Sequence, residues 1–256
     1  MTTMLRPAVP LSPVEVVLDT APVTRIGMVA LATDLTSERD AARILPPTVA
    51  LHTTRVPFDN PTTPATLRRL EGALGGAADL LVPGLPLGAI IFSCTAASVT
   101  IGDDAVAAAI GAARPGVPVV TPPDAAVDAF AALGVTRIAI LTPYVPETTA
   151  PMLAYFEGRG LQIAASACLG LEDDRDMGRV SDETIVAAAE AVDVPDADAV
   201  FLSCTALPAV GVIDRIEAAI GKPVVTSNQA SLWRALAHAG VTAPGPGRLF
   251  AQGAPS

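Results

Sequence analysis

Two eight-residue segments of this chain each carry a cysteine in nearly the same setting: Ala89-Ile-Ile-Phe-Ser-Cys94-Thr-Ala96 and Ala199-Val-Phe-Leu-Ser-Cys204-Thr-Ala206. Five of the eight positions are identical, the other three are apolar in both, and the cysteines lie 110 residues apart in a chain of 256. A thiol has an ordinary pKa of about 8.5 and can be tuned to act as acid, base or nucleophile. Two thiols on opposite faces of one carbon can divide those roles. One takes a proton while the other delivers one, or one adds to a double bond while the other protonates. Either scheme develops negative charge on the substrate, and the hydroxyls and backbone N–H groups of Ser93-Cys94-Thr95 and Ser203-Cys204-Thr205 are suited to hold it. A single free cysteine at a strand end is more simply a small core hydrophobe; the repetition favours function for this pair. Oxidation of Cys94 and Cys204 to a disulfide is the other outcome open to facing thiols. Cys168 has no counterpart and reads as core filling.

The repeat extends beyond the cysteines. Thr24-Arg-Ile26 recurs as Thr136-Arg-Ile138, and Pro118-Val-Val-Thr121 as Pro223-Val-Val-Thr226, at offsets of 112 and 105. Short apolar runs predict strands at about 25–32, 48–54, 88–93, 117–121, 136–141, 161–168, 198–203 and 222–226. Ala-rich stretches predict helices at about 63–81, 103–113, 123–133, 146–158, 181–192, 209–220 and 228–239, with Gly134, Gly160, Gly221 and Gly240 as stops. Such βα alternation, with strands apolar on both faces, predicts an α/β fold of two pseudo-symmetric, doubly wound lobes with parallel sheets. The expected lobes are 24–134, carrying Cys94, and 135–240, carrying Cys204, with the site between them. Residues 1–23 and 241–256 read as arms packing on or extending from the lobes.

Composition narrows the partners. With 26 acidic and 16 basic residues the formal charge is −10, and no basic block offers a nucleic acid a footprint. Mean hydropathy is +0.50 and the run 80–102 is uncharged, yet Pro83, Gly84, Pro86 and Gly88 interrupt it, so a helix end, a turn and a buried strand are expected rather than a membrane span. The prolines at 7, 10 and 13 break any signal-peptide apolar region, and an odd cysteine count fits a reducing, cytoplasmic setting. Two histidines and no Cys-x-x-Cys leave a metal without a ligand set. The Ala-rich helices could supply a homo-oligomer surface.

Ligand-facing residues of doubly wound sheets collect beyond strand C-termini. There stand Asp34, Arg55, Cys94, Thr142 with Tyr144, the stretch 172–174, and Cys204. Arg55 could clamp a carboxylate in bidentate fashion or be a solvated surface residue. Tyr144 is a candidate hydroxyl donor. Asn228 reads as the N-cap of the last helix more than as a ligand, His52 as a packed or hydrogen-bonded core residue, and Trp233 as core.

The two Cys-Thr segments, their spacing and Thr142-Pro-Tyr144 resemble the aspartate/glutamate/hydantoin racemase superfamily, in its branch of maleate cis–trans isomerases and arylmalonate decarboxylases, over about residues 24–240. Leu31-Ala-Thr-Asp34, Thr121-Pro-Pro123, Leu171-Glu-Asp-Asp174 and Thr226-Ser-Asn-Gln229 look most like the ectoine-utilisation proteins of that branch. The resemblance implies a cofactor-independent enzyme acting on a small carboxylate. It implies Cys94 as nucleophile and Cys204 as acid for an isomerase or racemase, or Cys204 alone as proton donor for a decarboxylase, where the first position is glycine. It further implies substrate contacts from Thr95, Tyr144 and Thr205. Asp34 or Thr36, and Asp174, fall where the maleate isomerases carry asparagines; an Asp there repels a carboxylate and attracts an ammonium, favouring an amino-acid-like substrate over maleate. A reading from another class is a two-lobed small-molecule binding or sensing protein, which would tolerate Cys-to-Ser changes.

Overall fold

The computed structural model describes residues 14–252. Eight strands form two four-stranded, all-parallel sheets. The first contains β1 (Thr24–Leu31), β2 (Val49–Val56), β3 (Ala89–Ser93) and β4 (Val119–Val120), in the order β2-β1-β3-β4. The second contains β5 (Arg137–Tyr144), β6 (Gln162–Leu171), β7 (Ala199–Leu202) and β8 (Val224–Thr226), in the order β6-β5-β7-β8. The orders are the same once the strands are renumbered, as the repeated segments require. In both sheets the strand that leads to the repeated cysteine is an inner one, and every residue of β3 and β7 is buried. That is the environment of a parallel strand covered on both faces.

Helices α5 (Asp103–Ala113), α6 (Pro122–Ala132), α7 (Pro146–Gly158), α9 (Asp182–Val192) and α11 (Ser227–His238) follow the predicted pattern within a residue or two. Gly134, Gly160, Gly221 and Gly240 have φ of 67, 85, 73 and 68°, the left-handed turn that ends a helix cheaply only at glycine. The predicted helix 63–81 is two, α2 (Pro64–Arg68) and α3 (Glu71–Asp79), and the predicted 209–220 is a 3-10 turn (210–212) leading into α10 (Ile213–Ile220). Four helices were not predicted: α1 (Ser37–Ile44), α4 (Thr95–Ile101), α8 (Asp174–Met177) and α12 (Gly247–Phe250).

Helices α6 and α11 lie side by side at the seam, each touching strands of both sheets. Phe130 of α6 meets Phe201 of β7 edge-on at 5.6 Å, and Phe156 of α7 completes that aromatic cluster. The C-terminal segment docks through α12: Leu249 is fully buried, Gly247 N donates to Asp214, and Arg248 N to Glu217. Residues 14–23 have no regular structure and expose Val14, Val16, Val17 and Leu18; the expectations for 1–13 and 253–256 lie outside the described residues. Cys168 is half-buried on β6, an outer strand, rather than filling the core. No single helix among the described residues is long and apolar enough to cross a membrane.

Candidate active site

The two cysteines leave their strands alike and are then held differently. Cys94 occupies the N-cap position of α4, where Ser98 N and Ser98 Oγ both donate to the Cys94 carbonyl, at 3.1 and 2.8 Å. The first-turn N–H groups of a helix lack intrahelical partners and favour negative charge beside them. Burial is the largest influence on the Cys94 thiol and pushes it well above its ordinary value; the Ala97 N–H opposes this, while the charges of Asp174, Cys204 and Asp34 add to it. Cys204 is followed by a turn instead of a helix, and its Sγ accepts the Ala206 N–H at 3.2 Å. Burial pushes Cys204 up to about 12, and Asp174 pushes the same way; the Tyr144 hydroxyl and the Ala206 and Leu207 N–H groups favour its thiolate. The thiols are 5 and 3% exposed. Both are therefore protonated at rest, and each lies within electrostatic reach of one carboxyl, Asp174.

Tyr144 ends β5 with its hydroxyl hydrogen-bonded to Cys204, and it is raised well above the ordinary tyrosine value by burial first and then by the two thiols. A phenol kept neutral in that way is a hydrogen-bond donor. The two threonines expected beside it are engaged otherwise. Thr95 Oγ1 donates to Ser227 Oγ at 2.8 Å, and Thr205 Oγ1 donates to the Ser93 carbonyl at 3.1 Å. Each has used its one hydroxyl hydrogen on the protein; Tyr144 has its hydroxyl on Cys204 and serves a developing oxyanion only when substrate replaces that contact, beside the first-turn N–H groups.

The carboxyls also divide. Asp34 accepts Thr36 N at 2.7 Å, Ser37 N at 2.9 Å and the Ser37 hydroxyl, so it organises the start of α1. Ser37 Oγ lies 2.7 Å from Ser93 Oγ, which links this corner to the residue before Cys94. Burial raises the Asp34 carboxyl against those hydrogen bonds and the charge of Arg55. Asp174 opens α8; its Oδ2 accepts Thr33 Oγ1 at 2.8 Å and its N–H is held by Asn60 Oδ1 at 3.0 Å. Burial is the main cause that pushes it to about 6, with the charges of Asp34 and Asp173 adding.

Three expectations change. Arg55 does not hold a carboxylate ready for substrate: its guanidinium donates to the Leu31 and Asp34 carbonyls, both at 2.9 Å, and pairs with Glu38, bracing β1 against α1. Asn228 is not the cap of α11. Thr226 is, in a capping box with Gln229, while Asn228 is buried inside the helix. His52 is half-buried on β2, with Nε2 enclosed and unbonded among the described residues. Sequence reasoning missed Ser37, Thr33 and Asn60, whose partners stand 56, 141 and 114 residues away, so no local pattern marks them.

A sequence model of arylmalonate decarboxylases matches residues 100–250, more than half of the chain. The arylmalonate decarboxylase of Bordetella bronchiseptica is 35% identical over 142 residues, 53% of this chain and 58% of that protein. The maleate isomerase of Nocardia farcinica is 30% identical over 131 residues, 50% of this chain and 52% of that one. These alignments thus span about half the length of the curated relatives. Among solved structures, a liganded double variant of arylmalonate decarboxylase superposes with a TM-score of 0.81 at 28% identity, covering 89% of this chain and 99% of the other. The Nocardia farcinica maleate cis–trans isomerase shares the fold, with a TM-score of 0.82 at 24% identity over 90 and 99% of the two chains. Two matching parallel sheets, each with a thiol just beyond one inner strand, are thus joined by an independent sequence match over residues 100–250, and the chain belongs to the arylmalonate decarboxylase family.

Proposed function

We propose that this protein is a cofactor-independent isomerase or racemase of a small carboxylate, with Cys94 and Cys204 as its reacting groups. The observation that carries this reading is that both repeated thiols are buried within one electrostatic cluster with Tyr144 and Asp174. Similarity to the maleate isomerase of Nocardia farcinica supports it.

In a cis–trans isomerisation Cys94, protonated at rest, first yields its proton to a carboxylate, that of Asp174 or of the substrate, and the thiolate so formed adds to one alkene carbon; the proton returns when Cys94 departs. A C–S bond forms, the π electrons pass to the neighbouring carbon, and Cys204 gives that carbon its proton. Rotation about the new single bond follows; Cys204 then takes the proton back and Cys94 departs, so nothing is consumed. In a racemisation one thiol, having yielded its proton in the same way, removes the proton α to the carboxylate, and the opposite thiol returns one to the other face. Cys204, pushed up to about 12, keeps its proton at neutral pH as Cys94 does, and in this scheme it is the donor because the Tyr144 hydroxyl and the Ala206 and Leu207 N–H groups receive the thiolate it leaves. Tyr144 and the first-turn N–H groups of α4 hold the intermediate's oxygen. Asp174 tilts the choice of substrate: a buried carboxyl beside the thiols disfavours a second carboxylate there and favours an ammonium or another donor group.

A second reading is decarboxylation of an arylmalonate-type acid, in which CO2 leaves and Cys204 alone protonates the remaining carbanion; the 35% identical relative supports it. Incubation with dicarboxylates, arylmalonates and amino acids in D2O, followed by NMR, separates the two. Exchange or isomerisation without CO2 loss supports the first reading. CO2 release with one deuterium gained replaces it with the second, and ligand binding without any turnover overturns both in favour of a sensor.

A further inference from the structure

Asp40 is a carboxyl for which the chemistry above has no use. It stands on α1 at 1% exposure, and its Oδ2 accepts Asn228 Nδ2 at 2.9 Å. The same amide nitrogen donates to the Thr205 carbonyl, also at 2.9 Å. Both hydrogens of one NH2 group are thereby committed, one to a carboxyl in the first half of the chain and one to the carbonyl directly after Cys204. Alongside, Thr36 Oγ1 donates to the Ala206 carbonyl at 2.6 Å. The Asp40 carboxyl also faces the Val210 N–H, and Ser203 Oγ just before Cys204 is buried without a hydrogen-bond partner among the described residues.

Burial pushes the Asp40 carboxyl up to about 6, so holding it there costs stability, and a well-packed apolar residue would serve the core better. Its presence therefore points to the turn it holds. The Cys94 carbonyl is fixed from within, because α4 begins on it, while α1 and α11 reach only its neighbours Ser93 and Thr95. The Cys204 turn has no helix of its own directly behind it and borrows its fixation from α1 and α11.

We propose that Asp40 and Asn228 are positioning residues that clamp the Thr205 carbonyl and fix the Cys204 turn, with a smaller effect on Cys94. The consequence is that loosening the clamp frees the Cys204 turn more than Cys94, although α1 and α11 also touch the Cys94 segment, through Ser37 on Ser93 and Ser227 on Thr95. This rests on the proposed function only in taking Cys204 as a working thiol; the clamp itself can be read without substrate.

The test is quantitative iodoacetamide labelling with peptide mass spectrometry, which yields the ratio of Cys204 to Cys94 modification in the full-length protein. Asp40→Ala should raise that ratio about five-fold, the effect of losing one hydrogen bond, and Asn228→Ala, which removes both bonds of the amide, by at least as much. Asp40→Asn keeps the shape and an acceptor for Asn228 and should hold the ratio near wild type. If Asp40→Ala does not fold, Asn228→Ala and Asp40→Asn carry the comparison, with thermal melting to verify folding. An unchanged ratio in folded Asn228→Ala, an equal rise at both thiols, or an alanine-like shift in Asp40→Asn would each overturn the clamp. Where turnover is measurable, the alanine variants should lower kcat and leave KM nearly unchanged. Because the labelling needs no substrate, failure of the proposed reaction leaves this result readable.

Discussion

The Thr205 hydroxyl donates to the backbone carbonyl of Ser93 at 3.1 Å, so the residue after one cysteine is bonded to the residue before the other. The two Ser-Cys-Thr segments, 110 positions apart in sequence, are in direct contact. A bond between the halves at this point fixes the thiols relative to each other, which a two-thiol reaction needs and two independent cores would not. Replacing Thr205 by Val keeps the volume and removes the donor. The expected loss is about 1 kcal/mol of stability, measured by urea unfolding, together with a fall in kcat larger than that loss would cause by unfolding at assay temperature. A normal kcat in Thr205→Val would mean that the contact only holds the halves together.

Asp174 should reveal itself in how stability depends on pH. The fold raises its carboxyl from an ordinary 3.8 to about 6, which means that the folded state prefers the neutral form. Its contribution is complete below the unfolded value and is lost as pH rises through about 6. Asp174→Asn should leave stability unchanged below pH 4 and increase it above pH 6, by at most about 3 kcal/mol. Thermal melting of both proteins from pH 4 to 8 checks this; a gain that is flat with pH would mean that the carboxyl is not strained by burial.

Tyr144→Phe removes the hydroxyl that favours the Cys204 thiolate and the donor assigned to the oxyanion. Turnover should fall by about 10² to 10³, as for loss of one oxyanion donor. Cys204 labelling should also shift to higher pH, with Cys94 much less affected. Equal shifts at both thiols would place Tyr144 between them and not on Cys204.

Much of this arrangement was legible in the sequence because it is repeated. The paired Ser-Cys-Thr-Ala segments and the strand spacing lead directly to two sheets of the same order with a thiol at each inner strand end. Tyr144 and Asp174 were legible as strand-end residues. Helix α4 was not, because Thr95, Val99, Thr100 and Ile101 are β-branched and read as strand; tertiary contacts override that preference. Helix α1 is eight residues long and too polar to stand out. The cap of α11 was readable, since Thr226-Ser-Asn-Gln229 has the capping-box pattern; choosing Asn228 overlooked it. The bonds of Asn228 to Asp40 and of Thr36 to Ala206 join residues 188 and 170 apart, and no local pattern encodes them.

The central claim is that both thiols react, and the most direct measurement is turnover of Cys94→Ser and Cys204→Ser on the substrate found by the D2O panel. Serine preserves shape, but its hydroxyl is a far weaker acid and nucleophile than a thiol. The account predicts that each variant loses about 10²-fold or more in kcat while remaining folded. Near-wild-type rates in Cys94→Ser with a dead Cys204→Ser would contradict it and leave a one-thiol decarboxylase; activity in both would leave neither thiol in the chemistry.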